Sequence, residues 1–179
     1  MAKYLVEFIG TFFLVATIGA TVLKPGDAGA MAPLAIGSAL MVMIFAGGHV
    51  SGAHFNPAVT IGMLVVRRIE PMMAGLYVLA QLAGATSAAF TLKFAFPAAL
   101  FAATRGGGQS VSLDVSATQA FVLEMIATMF LVWAVFGTAV NHRAPRIGGF
   151  GIGLTLTAAI LAIGGLTGAS LNPARSFGP

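Results

Sequence analysis

Two segments of this sequence place an Asn-Pro pair inside a strongly apolar chain, and they are near copies of each other. GHVSGAHFNPAVTIG covers residues 48–62 and GGLTGASLNPARSFG covers residues 164–178, with seven of fifteen positions identical at an offset of 116. EFIGTFFLV, from Glu7, and EMIATMFLV, from Glu124, share six of nine positions at an offset of 117. Two matches at nearly one offset indicate an internal duplication.

The duplicated chain is too apolar for an ordinary soluble domain. Of its 179 residues 58% are hydrophobic and 8% are charged, whereas soluble domains are about a quarter charged. The net charge of +4 comes from basic residues scattered singly or in pairs, which argues against a nucleic-acid partner. The sequence has no cysteine, which excludes disulfides and thiolate metal sites. A lipid bilayer is therefore the expected solvent.

Five segments are long and apolar enough to cross a bilayer, which takes about 20 residues. They cover residues 4–23, 32–50, 72–96, 117–140 and 148–166, and two shorter segments, 56–66 and 172–179, each begin at an Asn-Pro pair. The first span contains Glu7 and precedes further spans, so it is read as a retained helix rather than a cleaved signal peptide.

The repeats predict an inverted arrangement. Each unit would contain three spans and one short Asn-Pro segment, and because three is odd the second unit enters from the opposite side. We expect one transmembrane domain, with repeat 1 over residues 1–96, a loop over 97–116 and an incomplete repeat 2 over 117–179. The basic residues agree with a cytoplasmic N-terminus. This topology places Lys3, Arg67, Arg68, Arg143 and Arg146 inside, and Lys24, Lys93 and Arg105 outside.

The Asn-Pro pairs predict two half-helices that meet in the membrane. Asn is a preferred N-cap and Pro a preferred first helical residue, and the irregular backbone before each pair is tolerated only inside protein or along a cavity. Inversion brings the two N-terminal ends together near the midplane, where their partial positive charges oppose cations and hydronium. If the carboxamide oxygens cap the helices, the NH2 groups of Asn56 and Asn172 are free to donate into the lumen.

With its paired HFNPAVT and NPARS segments and the ExxGT-like opening of each repeat, the whole chain resembles the major intrinsic protein family, the aquaporins and aquaglyceroporins. The resemblance implies an all-α membrane protein, a right-handed helix bundle with inverted repeats. It further implies a passive, homotetrameric channel for water or small neutral solutes among membrane lipids, with no enzymatic activity and no cofactor. The two motifs comprise Asn56, Pro57, Ala58, Asn172, Pro173 and Ala174.

By the same resemblance, a selectivity ring would consist of Ile36, Ile160, Ala169 and Arg175. This ring lacks the aromatic residue and the histidine of typical water-selective members, and also the aromatic pair of typical glycerol channels. A wider, more apolar filter with one donor is implied. Arg175 is either a pore-wall donor that repels cations or an interfacial residue that extends towards the headgroups. The sequence does not choose among water, glycerol, urea, peroxide and ammonia.

Two intramembrane acids and two histidines carry open alternatives. Glu7 and Glu124 either relay protons, as in a proton-coupled secondary transporter, or accept hydrogen bonds from the irregular loops, as the resemblance implies. We favour loop support, and we expect His49 and His54 to stabilise the loop or line a wall rather than bind a metal. A non-conducting scaffold member is a third alternative.

The duplication is incomplete in this sequence. Adding 116 to the third span at 72–96 places its counterpart at 188–212, beyond Pro179. We therefore expect the sequence to be a fragment that lacks the sixth span of the family.

Overall fold

The computed structural model describes residues 1–23 and 29–179, so the predicted topology signal Lys24 lies outside the described residues. The described chain is helical and contains no strand. Its helices are α1 (Ala2–Leu23), α2 (Ala32–Ser51), α3 (Pro57–Val65), α4 (Pro71–Ala95), α5 (Ala98–Ala103), α6 (Ala117–Val135), α7 (Gly148–Thr167) and α8 (Pro173–Phe177). Short 3-10 turns lie at Gly29–Met31 and Arg105–Gly107, and a π-helical turn, Phe136–Val140, extends α6.

The five predicted spans are confirmed as α1, α2, α4, α6 with its π-helical extension, and α7. Helices α3 and α8 are the two shorter segments, and each begins at the proline of an Asn-Pro pair. The 97–116 connection differs from a plain loop, since it contains α5 and the turn Arg105–Gly107.

Local sequence explains where several helices begin. Ser116 caps α6 in a capping box, in which its hydroxyl oxygen accepts from Gln119 N at 3.3 Å and its backbone N–H donates to Gln119 Oε1 at 2.7 Å. Proline lies within the first two positions of α2 and α4, where its missing N–H costs no helical hydrogen bond.

The packing follows the duplication. Helix α1 packs on α2 as α6 packs on α7, and α2 and α7 pack on each other between the two units. They cross at Gly37 and Gly153, which are related by the repeat offset of 116. A Cβ at Gly153 would lie 2.5 Å from the Gly37 carbonyl oxygen, and one at Gly37 would overlap the Gly153 carbonyl oxygen. Small residues therefore bring the two helices into close contact.

The core lies between the helices, and the outer faces remain apolar. Aliphatic side chains of α1, α2, α6 and α7 form one buried cluster with the residues before the half-helices. Large hydrophobic side chains are exposed on the outside, among them Phe94 at 94% and Trp133 at 77%. An apolar outer surface around a partly polar interior is the pattern of a protein solvated by lipid.

Candidate functional site

Each Asn-Pro pair begins a half-helix as the sequence predicts. Asn56 precedes α3 in extended backbone, and its Oδ1 accepts from Ala58 N at 2.8 Å. Asn172 precedes α8 in the same conformation, and its Oδ1 accepts from Ala174 N at 3.0 Å and from Arg175 N at 3.3 Å. Both carboxamide oxygens therefore cap a half-helix, and both Asn side chains are buried.

The two asparagines also join the halves of the molecule. Asn56 Nδ2 donates to Leu171 O at 2.7 Å, and Asn172 Nδ2 donates to Phe55 O at 2.9 Å. These reciprocal bonds hold α3 and α8 with their N-terminal ends facing each other. The expectation that both NH2 groups are free is wrong, because one of the two hydrogens on each nitrogen is used in this bond.

The backbone before each half-helix has the same unusual conformation in both repeats. Ala53 and Phe55 have φ values of 51° and 49°, and Ala169 and Leu171 have values of 43° and 52°. Left-handed backbone costs a residue with a Cβ about 1–2 kcal/mol, so it persists only where the surroundings hold it.

Glu7 supplies much of that support in the first repeat. The side chain is fully buried, and Oε1 accepts from Ser51 Oγ at 2.7 Å and His54 N at 2.9 Å. Its Oε2 accepts from Phe55 N at 2.7 Å and Gln81 Nε2 at 2.8 Å. Four donors therefore bond to one carboxylate. Two of them are the backbone N–H groups of His54 and Phe55, in the segment that contains the left-handed residues.

Glu124 occupies the equivalent place in the second repeat. Its Oε1 accepts from Thr167 Oγ1 at 2.7 Å and Ser170 N at 2.9 Å, and its Oε2 accepts from Leu171 N at 2.9 Å. Thr167, Ser170 and Leu171 correspond at the offset of 116 to three of the four residues that donate to Glu7. The fourth, Gln81, lies on α4.

His54 extends the network beneath the first half-helix. Its Nδ1 lies 3.0 Å from Thr60 Oγ1, and that hydroxyl donates to Asn56 O at 3.1 Å and accepts from Gln81 Nε2 at 3.0 Å. Ser170 and Ser176 repeat the contact in the second unit, with hydroxyl oxygens 2.7 Å apart. His49 instead lies exposed on α2.

Sequence reasoning missed three residues of this network, all polar and buried. Gln81 and Thr60 are fully buried, and the Tyr77 hydroxyl donates to Ser51 O at 2.7 Å. The signal for Gln81 and Tyr77 was their position inside the predicted span 72–96, where a polar side chain needs a partner. Thr60 belongs to the short segment itself.

A cavity of about 620 Å³ runs beside the paired half-helices. All four residues predicted for the selectivity ring line it, together with Asn56, Asn172 and His54. Its aliphatic wall comes from α1, α2, α6 and α7 and includes Leu14, Ile18, Leu40, Leu131, Ile152 and Leu156. The cavity thus combines an apolar wall with polar groups from the two loops.

Arg175 contributes a charged side chain to this cavity and is only 3% exposed. Nη2 donates to Gly107 O at 2.9 Å. Among the described residues, the buried Nη1 has no hydrogen-bond partner. The alternative of an interfacial arginine that extends towards the headgroups does not fit this burial, because the guanidinium is enclosed by protein.

A second opening lies on the other side of α8. This cleft of about 740 Å³ is lined mainly by α6 and α8, together with Gln109 and Val111 of the 97–116 connection, and it reaches Glu124 and Thr167. Among the described residues, no helix covers this face of α8 as α4 covers the equivalent face of α3.

Comparison with known proteins identifies the family to which this chain belongs. The family model described as major intrinsic protein matches residues 1–179. The glycerol uptake facilitator protein-like 6 of Lactiplantibacillus plantarum is 42% identical over all of this chain and 83% of its own length. Aquaporin AqpM of Methanothermobacter thermautotrophicus is 40% identical over 99% of this chain and 81% of its own.

Two further relatives set the extent of the match. The rice aquaporin NIP1-1 is 38% identical over 99% of this chain, which spans 63% of that relative's length. The X-ray structure of the aquaglyceroporin from Plasmodium falciparum superposes with a TM-score of 0.86 at 27% identity, covering 99% of this chain and 78% of that one. The predicted all-α, aquaporin-like bundle is thereby confirmed. The chain is a multi-pass integral membrane protein that belongs to the major intrinsic protein family.

Proposed function

We propose that the protein is a passive transmembrane channel for water and small uncharged solutes. The observation that carries this proposal is the reciprocal bonding of Asn56 and Asn172 across two half-helices beside one continuous cavity. A pair of facing half-helices presents donors, rather than acceptors, to whatever occupies the lumen beside them.

Proton exclusion follows from the chemistry of those donors. Each Asn keeps one amino hydrogen beyond the one given to the opposite repeat. A water that accepts it points its own hydrogens away, so neighbouring waters cannot form a uniform chain along which a proton hops. The half-helix ends add a positive potential that repels hydronium and cations.

The ring of Ile36, Ile160, Ala169 and Arg175 acts in this proposal as the filter. Arg175 repels cations and donates to a solute oxygen, because its Nη1 has no protein partner among the described residues. The two isoleucines and the alanine provide apolar surface without adding an acceptor. Such a filter admits neutral solutes that carry an oxygen, with the ring diameter limiting their size.

The alternative of a proton-coupled transporter is less well supported by the contacts. Glu7 is fully buried behind the first loop, and all four of its described partners are donors that hold the loop or α4. Glu124 faces the cleft beside α8 and is not among the cavity-lining residues. Both acids fit the role of loop support, in which His54 assists through Thr60.

Osmotic swelling of proteoliposomes tests the proposal against the transporter. The protein is reconstituted, and the rates for water, glycerol, urea, hydrogen peroxide and ammonia are recorded with and without a pH gradient. A channel conducts at least one of these solutes at a rate that is independent of the gradient. Strict dependence on a pH gradient would support the transporter instead, and no permeation above protein-free liposomes would support a non-conducting scaffold.

The setting of the channel is proposed on the same basis. We infer a single channel domain in the inner cell membrane with a cytoplasmic N-terminus, assembled as a homotetramer among membrane lipids. The distribution of basic residues supports the orientation, and family membership supports the tetramer. Crosslinking in native membranes, followed by measurement of the assembled mass, tests the tetramer, and protease accessibility of an N-terminal tag tests the orientation.

A further inference from the structure

The segment that follows α5 is held against the cavity at both ends. Gly107 O accepts from Arg175 Nη2 at 2.9 Å, and Ser112 N donates to Leu166 O at 2.9 Å. Gly107 has φ of 81°, and a Cβ at this position would lie 2.9 Å from Gly19 Cα. Only glycine allows this segment to approach α1 so closely, so the backbone on both sides of Gln109 is fixed.

Gln109 lies between these anchors, and it lines both the cavity that contains Arg175 and the cleft beside α8. Its stem rests on the end of α7, since an added Cβ on Gly168 would lie 2.9 Å from Gln109 Cγ. Gly168 directly precedes Ala169, a member of the predicted ring. Among the described residues, no protein group is hydrogen-bonded to the Gln109 carboxamide, which is half-buried.

The side chains of the four predicted ring residues provide no hydrogen-bond acceptor, and a carboxamide would provide one. A guanidinium only donates, and three aliphatic side chains offer nothing polar. Water, hydroxyl and amide solutes all accept and donate, but polyols and urea carry several polar groups and give up more hydration in the ring. An acceptor in the same cavity as Arg175 therefore matters most to these larger solutes. Gln109 carries one carbonyl oxygen and two N–H donors.

We propose that Gln109 is a fifth specificity-determining residue of the filter, and that it favours small polyols and urea over water by accepting their hydrogens. This inference rests on the proposed channel function. It concerns only the ranking of solutes, because the proposed function already assigns water permeation to Arg175 and the paired asparagines.

The experiment replaces Gln109 with methionine, which keeps the length of the side chain and removes the acceptor. Glycerol, urea and water permeabilities are measured in the same proteoliposomes. One hydrogen bond contributes about 0.5–1.5 kcal/mol, so the glycerol-to-water and urea-to-water ratios should fall about 2–10-fold in Gln109→Met. Gln109→Asn keeps a carboxamide one methylene shorter, and its ratios should lie between those of the wild type and Gln109→Met.

Leu113→Ala is the matched control, since Leu113 lies in the same connection, is fully exposed and does not line the cavity. It should leave both ratios unchanged. Unchanged ratios in Gln109→Met, with water flux retained, overturn the inference alone, as does an equal fall in Leu113→Ala. Absence of all permeation in the wild type overturns the channel and the inference with it. If Gln109→Met does not insert, the Gln109→Asn ratios decide, and wild-type values there overturn the inference.

Discussion

Replacing Glu7 with glutamine should destabilise the protein through loss of hydrogen-bond acceptors at constant volume. The carboxylate accepts two donors on each oxygen. A glutamine keeps one acceptor oxygen and turns an NH2 towards the other pair, so two buried donors lose their acceptor. Each unsatisfied buried group costs about 1–3 kcal/mol, which makes a total of about 2–6 kcal/mol.

Glu124→Gln provides an internal scale for that estimate. The glutamine oxygen can keep both donors of Glu124 Oε1, so only Leu171 N loses its acceptor. The expected cost is therefore about 1–3 kcal/mol, half of that for Glu7→Gln. Glu70→Gln is the control, because Glu70 is an exposed glutamate whose side chain makes no capping bond to α4.

Thermal unfolding in detergent, followed by circular dichroism, measures the three variants. At about 2–4 °C per kcal/mol for a chain of this size, the melting temperature of Glu7→Gln should lie about 4–24 °C below that of the wild type. The melting temperature of Glu124→Gln should fall by about half as much. Water flux in proteoliposomes should fall in the same order. The support role would be refuted if Glu7→Gln had the same melting temperature as Glu70→Gln, or if the melting temperature fell further in Glu124→Gln than in Glu7→Gln.

Three further predictions concern the cavity and the cleft. Asn56→Asp or Asn172→Asp replaces a donor to the opposite repeat by a carboxylate. Either variant should add a cation leak in planar bilayers or abolish water flux. Wild-type-like water flux without a cation leak in both variants would contradict the role of the two asparagines in cation exclusion. Ile160→His should narrow the ring and lower the glycerol-to-water permeability ratio, whereas an unchanged ratio would mean that Ile160 does not line the constriction. An apolar helix of about 20 residues joined after Pro179 should cover the cleft beside α8 and raise water flux above that of the 179-residue chain. If both chains conduct water equally well and both exclude protons, α8 needs no such cover.

The main features of the fold were predictable because they depend on short-range signals. Apolar length predicts the spans, and Asn followed by Pro predicts a helix start. The repeat then adds the long-range information, since equivalent residues such as Glu7 and Glu124 must occupy equivalent places. The crossing of α2 and α7 at Gly37 and Gly153 follows the same offset.

The parts that were missed depend on contacts between distant positions. Gln81 reaches Glu7 across 74 residues, and no local pattern identifies which polar residue of α4 points inward. The bond from Asn56 Nδ2 to Leu171 O spans 115 residues and depends on backbone carbonyls turned by left-handed residues. Gln109 lies in a connection without periodicity, so only the anchors at Gly107 and Ser112 reveal that it lines the cavity.

Simultaneous recording of water and proton flux in one preparation tests the central claim most directly. Proteoliposomes containing a pH-sensitive dye are subjected first to an osmotic step and then to a pH step. The paired half-helices predict water permeability well above that of protein-free liposomes, together with proton permeability equal to theirs. Proton flux that rises in proportion to the amount of reconstituted protein, or water flux that stays at the level of the lipid, would contradict the account.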